Sequence, residues 1–506
     1  MKKSSDFDFS IPQRQSHIAI LLILLKRGKV ILQQLLPILV VIWLGGKQGG
    51  LYFVIAFCIF AALTLVYAII NFFRTNFYVT DDEIILNTGV FNRKKLSIRL
   101  DKVQTVNFEQ TIIHRIFDVY RINIDTAGSS KDEFVFQALD IDKAKAIQAL
   151  VMQKRGTIKA SDYGIEQASS ELYNQDESID SSTKEVSILK LSPTQLLKVG
   201  LTENHIHSFG VIIAFFIYWY QNLKDVGIDV DEYSQELDYQ SFMENFILVS
   251  FIFIIIIAIL ISVIRSVIKY YDLQFLRSAG GFKIISGLIT KREVAAQDTK
   301  IQYITWSQNL LQKYVNFFEL TLSQASSSEV SSKQTIAIPG LTAANISVIA
   351  SSLFGQTAFA DEDKTHCVDP AYFRRFTQII IGILLIATIF AFYFQLLDQL
   401  LIFVLVIGFL VLNRYLKYRN LGYSFDGERL KIFGGAFGKK YALLPIYKIQ
   451  SIAFTNSPYQ QRLSLCSLTI YTAAGALHLP YISEQIGKNI LDTFIDKVET
   501  DHRKWM

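Results

Sequence analysis

The chain is poor in the residues that usually carry chemistry. It has three cysteines, Cys58, Cys367 and Cys466. An odd set at unrelated spacings provides neither a disulfide framework nor a cysteine zinc site, and reads as inert apolar or linker thiols. Catalytic signatures are also missing. There is no G-x-x-x-x-G-K-[ST], G-x-G-x-x-G, H-E-x-x-H or G-x-S-x-G, which removes the common nucleotide, zinc-protease and serine-hydrolase readings. His205-Ile206-His207 is the nearest approach to a metal pair. With no further His or Cys nearby, it reads with Glu203 as polar residues at a membrane interface. No enzyme, cofactor or metal is expected. Charged residues make up only 19% of the chain, and the net charge of +5 is too mild to indicate a nucleic-acid partner. The start, MKKSSDFDFSIPQRQSH, lacks the charged opening, short apolar run and small-residue site of a cleaved signal.

Apolar residues are abundant instead: half of the 506 positions, with 38 Phe. That composition points to a membrane. Six stretches approach the ~20 apolar residues that a membrane helix needs: 30–46, 51–73, 206–222, 243–264, 376–396 and 399–413. Short connections group them into three hairpins. Lys and Arg cluster at the outer ends of each pair, including Lys26, Arg74, Arg265, Arg374 and Arg414, whereas the connection 221–241 is acidic. The positive-inside rule then puts both termini and everything between hairpins on the cytoplasmic side. None of the six carries an interior Asp, Glu, Lys or Arg, which argues against an ion-coupled transporter. Gln33, Gln34, Asn245 and Ser262 are polar exceptions that helix–helix hydrogen bonding accounts for.

One polar stretch recurs. Residues 89–128 align without a gap to the chain shifted by 198 and then by a further 148 positions. Gly89 falls on Gly287 and Gly435. Arg93-Lys94 falls on Lys291-Arg292 and Lys439-Lys440. Lys102-Val103-Gln104 falls on Lys300-Ile301-Gln302 and Lys448-Ile449-Gln450, and Phe108 on Trp306 and Phe454. Two-residue alternation in these copies reads as strand, with turn residues between the runs. Each copy closes with a helical pattern, at 140–153, 341–353 and 483–498. The expected organisation is a transmembrane hairpin over 16–73 with a module over 74–154, a flexible polar linker over 155–185, a hairpin over 190–269 with a module over 270–354, a linker over 355–369, and a hairpin over 370–415 with a module over 416–500. The fold class expected is thus an α+β membrane protein. It has six transmembrane helices in three hairpins, each hairpin followed by a cytoplasmic β-sandwich or barrel capped by a C-terminal helix.

A basic pair, a K-[IV]-Q-x-[IV] strand and an L-x-[IV] strand ending in T-A-G together resemble bacterial membrane-flanked domains with a pleckstrin-homology-like fold. Here they are Arg93-Lys94, Lys102 to Val106 and Ile122 to Gly128. The third copy matches with one extra alanine, and the second departs at Gln324-Ala325-Ser326. The plan resembles the larger, three-module members of that family, which implies the bacterial cytoplasmic membrane and a role in envelope maintenance or tolerance to membrane-active compounds. The positions expected to touch a lipid or partner are Arg93, Lys94, Lys102, Lys291, Arg292, Lys300, Lys439, Lys440 and Lys448. The alternative is that they are solvated strand charges. Two functions fit: a non-enzymatic scaffold binding a partner membrane protein, such as a smaller single-module relative, or its own modules; and an anionic-lipid-binding or lipid-moving protein.

Overall fold

The structure is a computed structural model. It describes residues 9–25, 62–80, 82–89, 93–100, 103–126, 134–147, 150, 186–205, 209–212, 214, 239–278, 280–325, 335–355, 366–393 and 397–500.

The described strands fall into three sets of seven, matching the repeat. The first set is β1 (Gln13–Arg14), β2 (Asn76–Val79), β3 (Glu83–Thr88), β4 (Lys94–Arg99), β5 (Val103–Gln110), helix α1 (Ile112–Ile116), β6 (Val119–Thr126) and β7 (Phe134–Asp140). The second is β8 (Val186–Lys190), α2 (Pro193–Thr202), α3 (Tyr239–Tyr270), β9 (Gln274–Ser278), β10 (Gly281–Ser286), β11 (Lys291–Gln297), β12 (Ile301–Gln308), α4 (Leu310–Val315), β13 (Phe318–Gln324), β14 (Thr335–Leu341) and α5 (Ala343–Phe354). The third is β15 (His366–Cys367), α6 (Ala371–Tyr393), α7 (Leu397–Asn420), β16 (Gly422–Phe425), β17 (Arg429–Gly434), β18 (Lys439–Pro445), β19 (Ile449–Thr455), α8 (Pro458–Gln461), β20 (Leu465–Thr472), β21 (Gly475–Ser483) and α9 (Glu484–Thr500). The first strand of each set lies ahead of the apolar helices, so those helices are inserted between strands one and two.

Local chemistry repeats with the strands. Gly89, Gly287 and Gly435 all have φ between 102° and 114°. That explains their recurrence: a Cβ on Gly435 would also meet the Gly438 carbonyl. Thr111, Asn309 and Ser457 each stand at the N-cap of the short helix after the fifth strand, and Asn309 and Ser457 form full capping boxes with Gln312 and Gln460. The chain leaves that turn through Asp118, Asn316 and Ser464, all left-handed. Asn and Asp tolerate this region best.

The chain forms two compact units. One comprises Met1–Glu185, Lys283–Ala295 and Ser327–Glu329; the other comprises Val186–Phe282, Ala296–Ser326 and Val330–Met506. In the first, β1-β2-β3-β4 make one antiparallel sheet, and β7-β6-β5 make another whose β5 edge is taken by β11, a strand of the second repeat. Its core is Phe77, Ile84, Leu100, Ile122, Phe134, Phe136 and Ile147, among others, so the two sheets and the helix starting at 141 enclose one interior. Phe77 and Phe136 meet edge to face at 4.9 Å between centroids. In the second unit, β15-β16-β17-β18 continue through β12 into β13 and β14, giving a seven-stranded sheet, and β19-β20-β21 form a separate one. The third module closes around Leu430, Leu444, Leu468, Ile470, Leu479 and Phe494, with α9 supplying Phe494. Strand modules closed by a C-terminal helix agree with the pleckstrin-homology-like expectation.

The six-helix expectation is overturned. Among the described residues two helical stretches are long and apolar enough to cross a membrane, Ile252–Tyr270 and Ala371–Phe390. The stretch 399–413 forms part of α7, but only about 15 apolar residues precede Arg414, Lys417 and Arg419, short of the ~20 that a span requires. The described part of the second stretch is the short helix Ala62–Arg74. The first stretch, most of the third and the linker 155–185 lie outside the described residues. Apolar composition over 15–17 residues marks a buried or interfacial helix as readily as a span.

Candidate functional site

The seam between β12 and β18 lies wholly within the second unit. Gln308 pairs with Lys439, Ser307 with Lys440, Trp306 with Tyr441, Thr305 with Ala442 and Ile304 with Leu443. The Trp306 and Tyr441 rings stack at 5.2 Å and 17°. Lys431, from the neighbouring β17, is buried, and its ammonium lies 5.3–5.9 Å from the Phe433, Tyr441 and Trp306 ring centres. Such a position favours a cation that has lost its water. The Gly438 backbone approaches Gln308 so closely that a Cβ would collide with its carbonyl.

Beside this seam a cavity of about 540 Å³ opens at the base of α3. Lys439 and Lys440 reach it from β18, and Arg265 and Ser262 from α3. Glu203 and Glu319 supply the opposite charge. Glu319 faces Ser307, which in turn faces Lys440, so acid, hydroxyl and base run in a row across three strands. Burial holds the Glu319 carboxyl above its usual range; nearby Lys269 opposes the shift and Glu203 adds to it. The Glu203 Oε2 atom is buried without a hydrogen-bond partner. This is a polar, mixed-charge pocket.

The nine expected basic positions separate into different environments. Arg93 and Lys94 are exposed at the start of β4. Lys291 and Arg292 are exposed at the start of β11, opposite Gln110 and Glu109, and the Arg292 guanidinium lies 3.6 Å from the Glu109 carboxylate. Lys439 and Lys440 are exposed and line the cavity. Lys300 and Lys448, by contrast, are buried, at 7% and 2% exposure. The Lys448 ammonium donates to the Thr299 carbonyl in the preceding module, and burial pushes its pKa down to about 8. Lys102 lies outside the described residues. The Lys-x-Gln lysine is thus buried at both of its described positions. Gln302 is fully buried and donates to the Lys300 carbonyl, whereas its equivalent Gln450 is exposed.

Sequence reasoning missed Arg265, Glu319 and the Lys431 cluster. For Lys431 a signal existed: a lysine between Leu430 and Ile432 in an apolar strand. The His205 Nε2–H donates to the Leu201 carbonyl, 3.0 Å away, and His207 lies outside the described residues. Among the described residues no group of three His, Cys, Asp or Glu side chains is placed to hold a metal.

Comparison with known families meets the fold at this point. The model of the Bacterial PH domain family matches three times, over residues 29–155, 234–357 and 377–496, more than half of the chain. The chain belongs to the bacterial PH domain family. It is also similar to the UPF0699 transmembrane protein YdbT of Bacillus subtilis (strain 168), with 23% identity over 402 residues, 78% of this chain and 79% of that protein. Each of the three family matches covers the second to seventh strands of one set.

Proposed function

We propose that this bacterial PH domain protein is a non-enzymatic scaffold of the bacterial cytoplasmic membrane. Ile252–Tyr270 and Ala371–Phe390 anchor it. Arg265 and Lys269 at the end of one helix and Arg374 and Arg375 at the start of the other hold the second module, which lies between them in the sequence, on the cytoplasmic side. The modules bind a partner membrane protein through sheet edges, a smaller single-module relative being the expected kind, and serve envelope maintenance or tolerance to membrane-active compounds. The observation that carries this reading is the β12–β18 seam, in which one module's sheet accepts a strand of the next. Strand addition gives affinity through the main chain and specificity through alternate side chains.

A tagged full-length chain extracted in mild detergent should recover a second membrane protein bearing a PH-like module. Recovery of chaperones alone would sink the reading. The cavity supports a second reading, an anionic-lipid site, because Arg265, Lys439 and Lys440 converge at the base of a membrane helix. Reconstituted protein would then retain anionic over zwitterionic lipid, and the charge-reversed pair Lys439→Glu, Lys440→Glu would abolish the preference.

A further inference from the structure

The same join is made twice inside the chain. In the first unit Lys291, Arg292 and Glu293 of β11 pair with Gln110, Glu109 and Phe108 of β5. In the second unit Lys439, Lys440 and Tyr441 of β18 pair with Gln308, Ser307 and Trp306 of β12. Shifting the first set by the repeat offsets of 148 and 198 gives the second, so the two seams share one register. Each uses the fourth strand of one module and the fifth strand of the module before it.

The outermost strands of these two types have no such join among the described residues. β4, equivalent to β11 and β18, ends its sheet, and β19, equivalent to β5 and β12, ends its own. Burial marks the difference. The last five residues of β18 are all buried, whereas none of β4 is. On β12 the buried positions include Gln302 and Trp306; on β19 the equivalent Gln450 is exposed and Phe454 half-buried. Unpaired edges usually carry Lys as a guard. Lys95 fits that description, while the Arg93-Lys94 pair ahead of it recurs as Lys291-Arg292 and Lys439-Lys440 at the start of strands that are joined. The basic start is therefore compatible with pairing, and the facing strand β19, IQSIAFT, brings no opposing Lys or Arg.

We propose that β19 of one copy pairs antiparallel with β4 of a second copy in the register of the internal seams. Thr455 then faces Lys94, Phe454 faces Lys95 and Ala453 faces Leu96. The Lys95 stem lies on the Phe454 ring where Tyr441 stacks on Trp306 inside the chain. The join is head to tail, so copies assemble into a ring or a longer series. This rests on the scaffold reading and names its partner as a second copy.

The test uses two differently tagged full-length chains produced together in membranes, one with Thr455→Cys and the other with Lys94→Cys, both at exposed positions. Mild oxidation should yield a product carrying both tags, linked between positions 455 and 94. The control pair Thr455→Cys with Ile98→Cys, four residues out of register, should give at least tenfold less. The parent chain without introduced cysteines reports any linkage through native thiols. Light scattering on the unmodified chain in detergent should give a mass above one copy plus micelle. A monomer with no linked product overturns the proposal, as does equal linkage in both pairs. If a separate single-module protein occupies β4 instead, the second-copy proposal falls and the scaffold reading stands. If no membrane protein is recovered at all, both fall.

Discussion

Replacing Lys448 by methionine separates a buried structural lysine from a surface ligand residue. The two side chains have similar length and volume, so the change removes the charge and the donation to the Thr299 carbonyl while keeping the space filled. The folded chain releases this proton near pH 8, against 10.5 for an unperturbed lysine, because burial disfavours the ammonium. Between those values the unfolded chain holds more protons than the folded one, so raising the pH stabilises the fold. Linkage over pH 7 to 10 gives a gain on the order of 2 kcal/mol for the wild type. The Lys448→Met variant lacks this contribution. The difference between their unfolding free energies should therefore change by roughly that amount across the range, the wild type gaining as the pH rises. Urea unfolding in mild detergent, followed by tryptophan fluorescence at several pH values, measures it, because Trp306 lies on the strand that follows Thr299. Parallel pH profiles for the two proteins would refute the burial argument. A loss of lipid retention in the variant would restore the headgroup role that the position was first expected to have.

Four further outcomes follow from the same structure. Leu468→Ala, at a fully buried position in the third module, should lower stability by about 2–5 kcal/mol in urea unfolding. Gly435→Ala places a side chain at φ +102° against the Gly438 carbonyl; it should cost about 1–3 kcal/mol, read as a lower unfolding midpoint. Glu319→Gln removes a carboxyl whose folded pKa is raised by burial, a group that loses the wild type stability as pH climbs above its ordinary 4.5. The variant should show a smaller fall in stability over that rise, read by thermal unfolding from pH 4 upward. Trp306→Ala should cost about 3–5 kcal/mol and loosen the β12–β18 seam, which faster amide exchange in β18 would report.

The repeat made the modules legible from sequence because its markers are backbone requirements. Gly89, Gly287 and Gly435 recur since their turn needs a left-handed residue, and that need is local. The closing helices were legible for the same reason: Ala343–Phe354 and Glu484–Thr500 fall close to the expected 341–353 and 483–498. Apolar runs were less informative. They reported hydrophobicity without saying whether a bilayer or a protein face would cover it, and among the described residues two helices are long and apolar enough to span. The Lys-x-Gln motif failed as a surface marker because its exposure depends on the next strand in the sheet. Gln302 and Gln450 occupy the same place in the repeat, yet one is buried and the other exposed. Lys439 and Lys440 came to line a cavity only through Arg265 and Glu319, which lie far away along the chain.

The account stands on the β12–β18 seam, and a cysteine pair across it is the most direct probe. Ser307 and Lys440 face each other there, and directly opposed strand residues lie ~4.5–5.5 Å apart at Cα, within disulfide reach. The double variant Ser307→Cys, Lys440→Cys in the membrane-bound full-length chain should form an intramolecular disulfide on mild oxidation, identified by the linked peptides. Ser307→Cys combined with Leu444→Cys, four residues along, should form little. Equal linkage in the two variants, or linkage in neither, would contradict a fixed sheet joining the second module to the third.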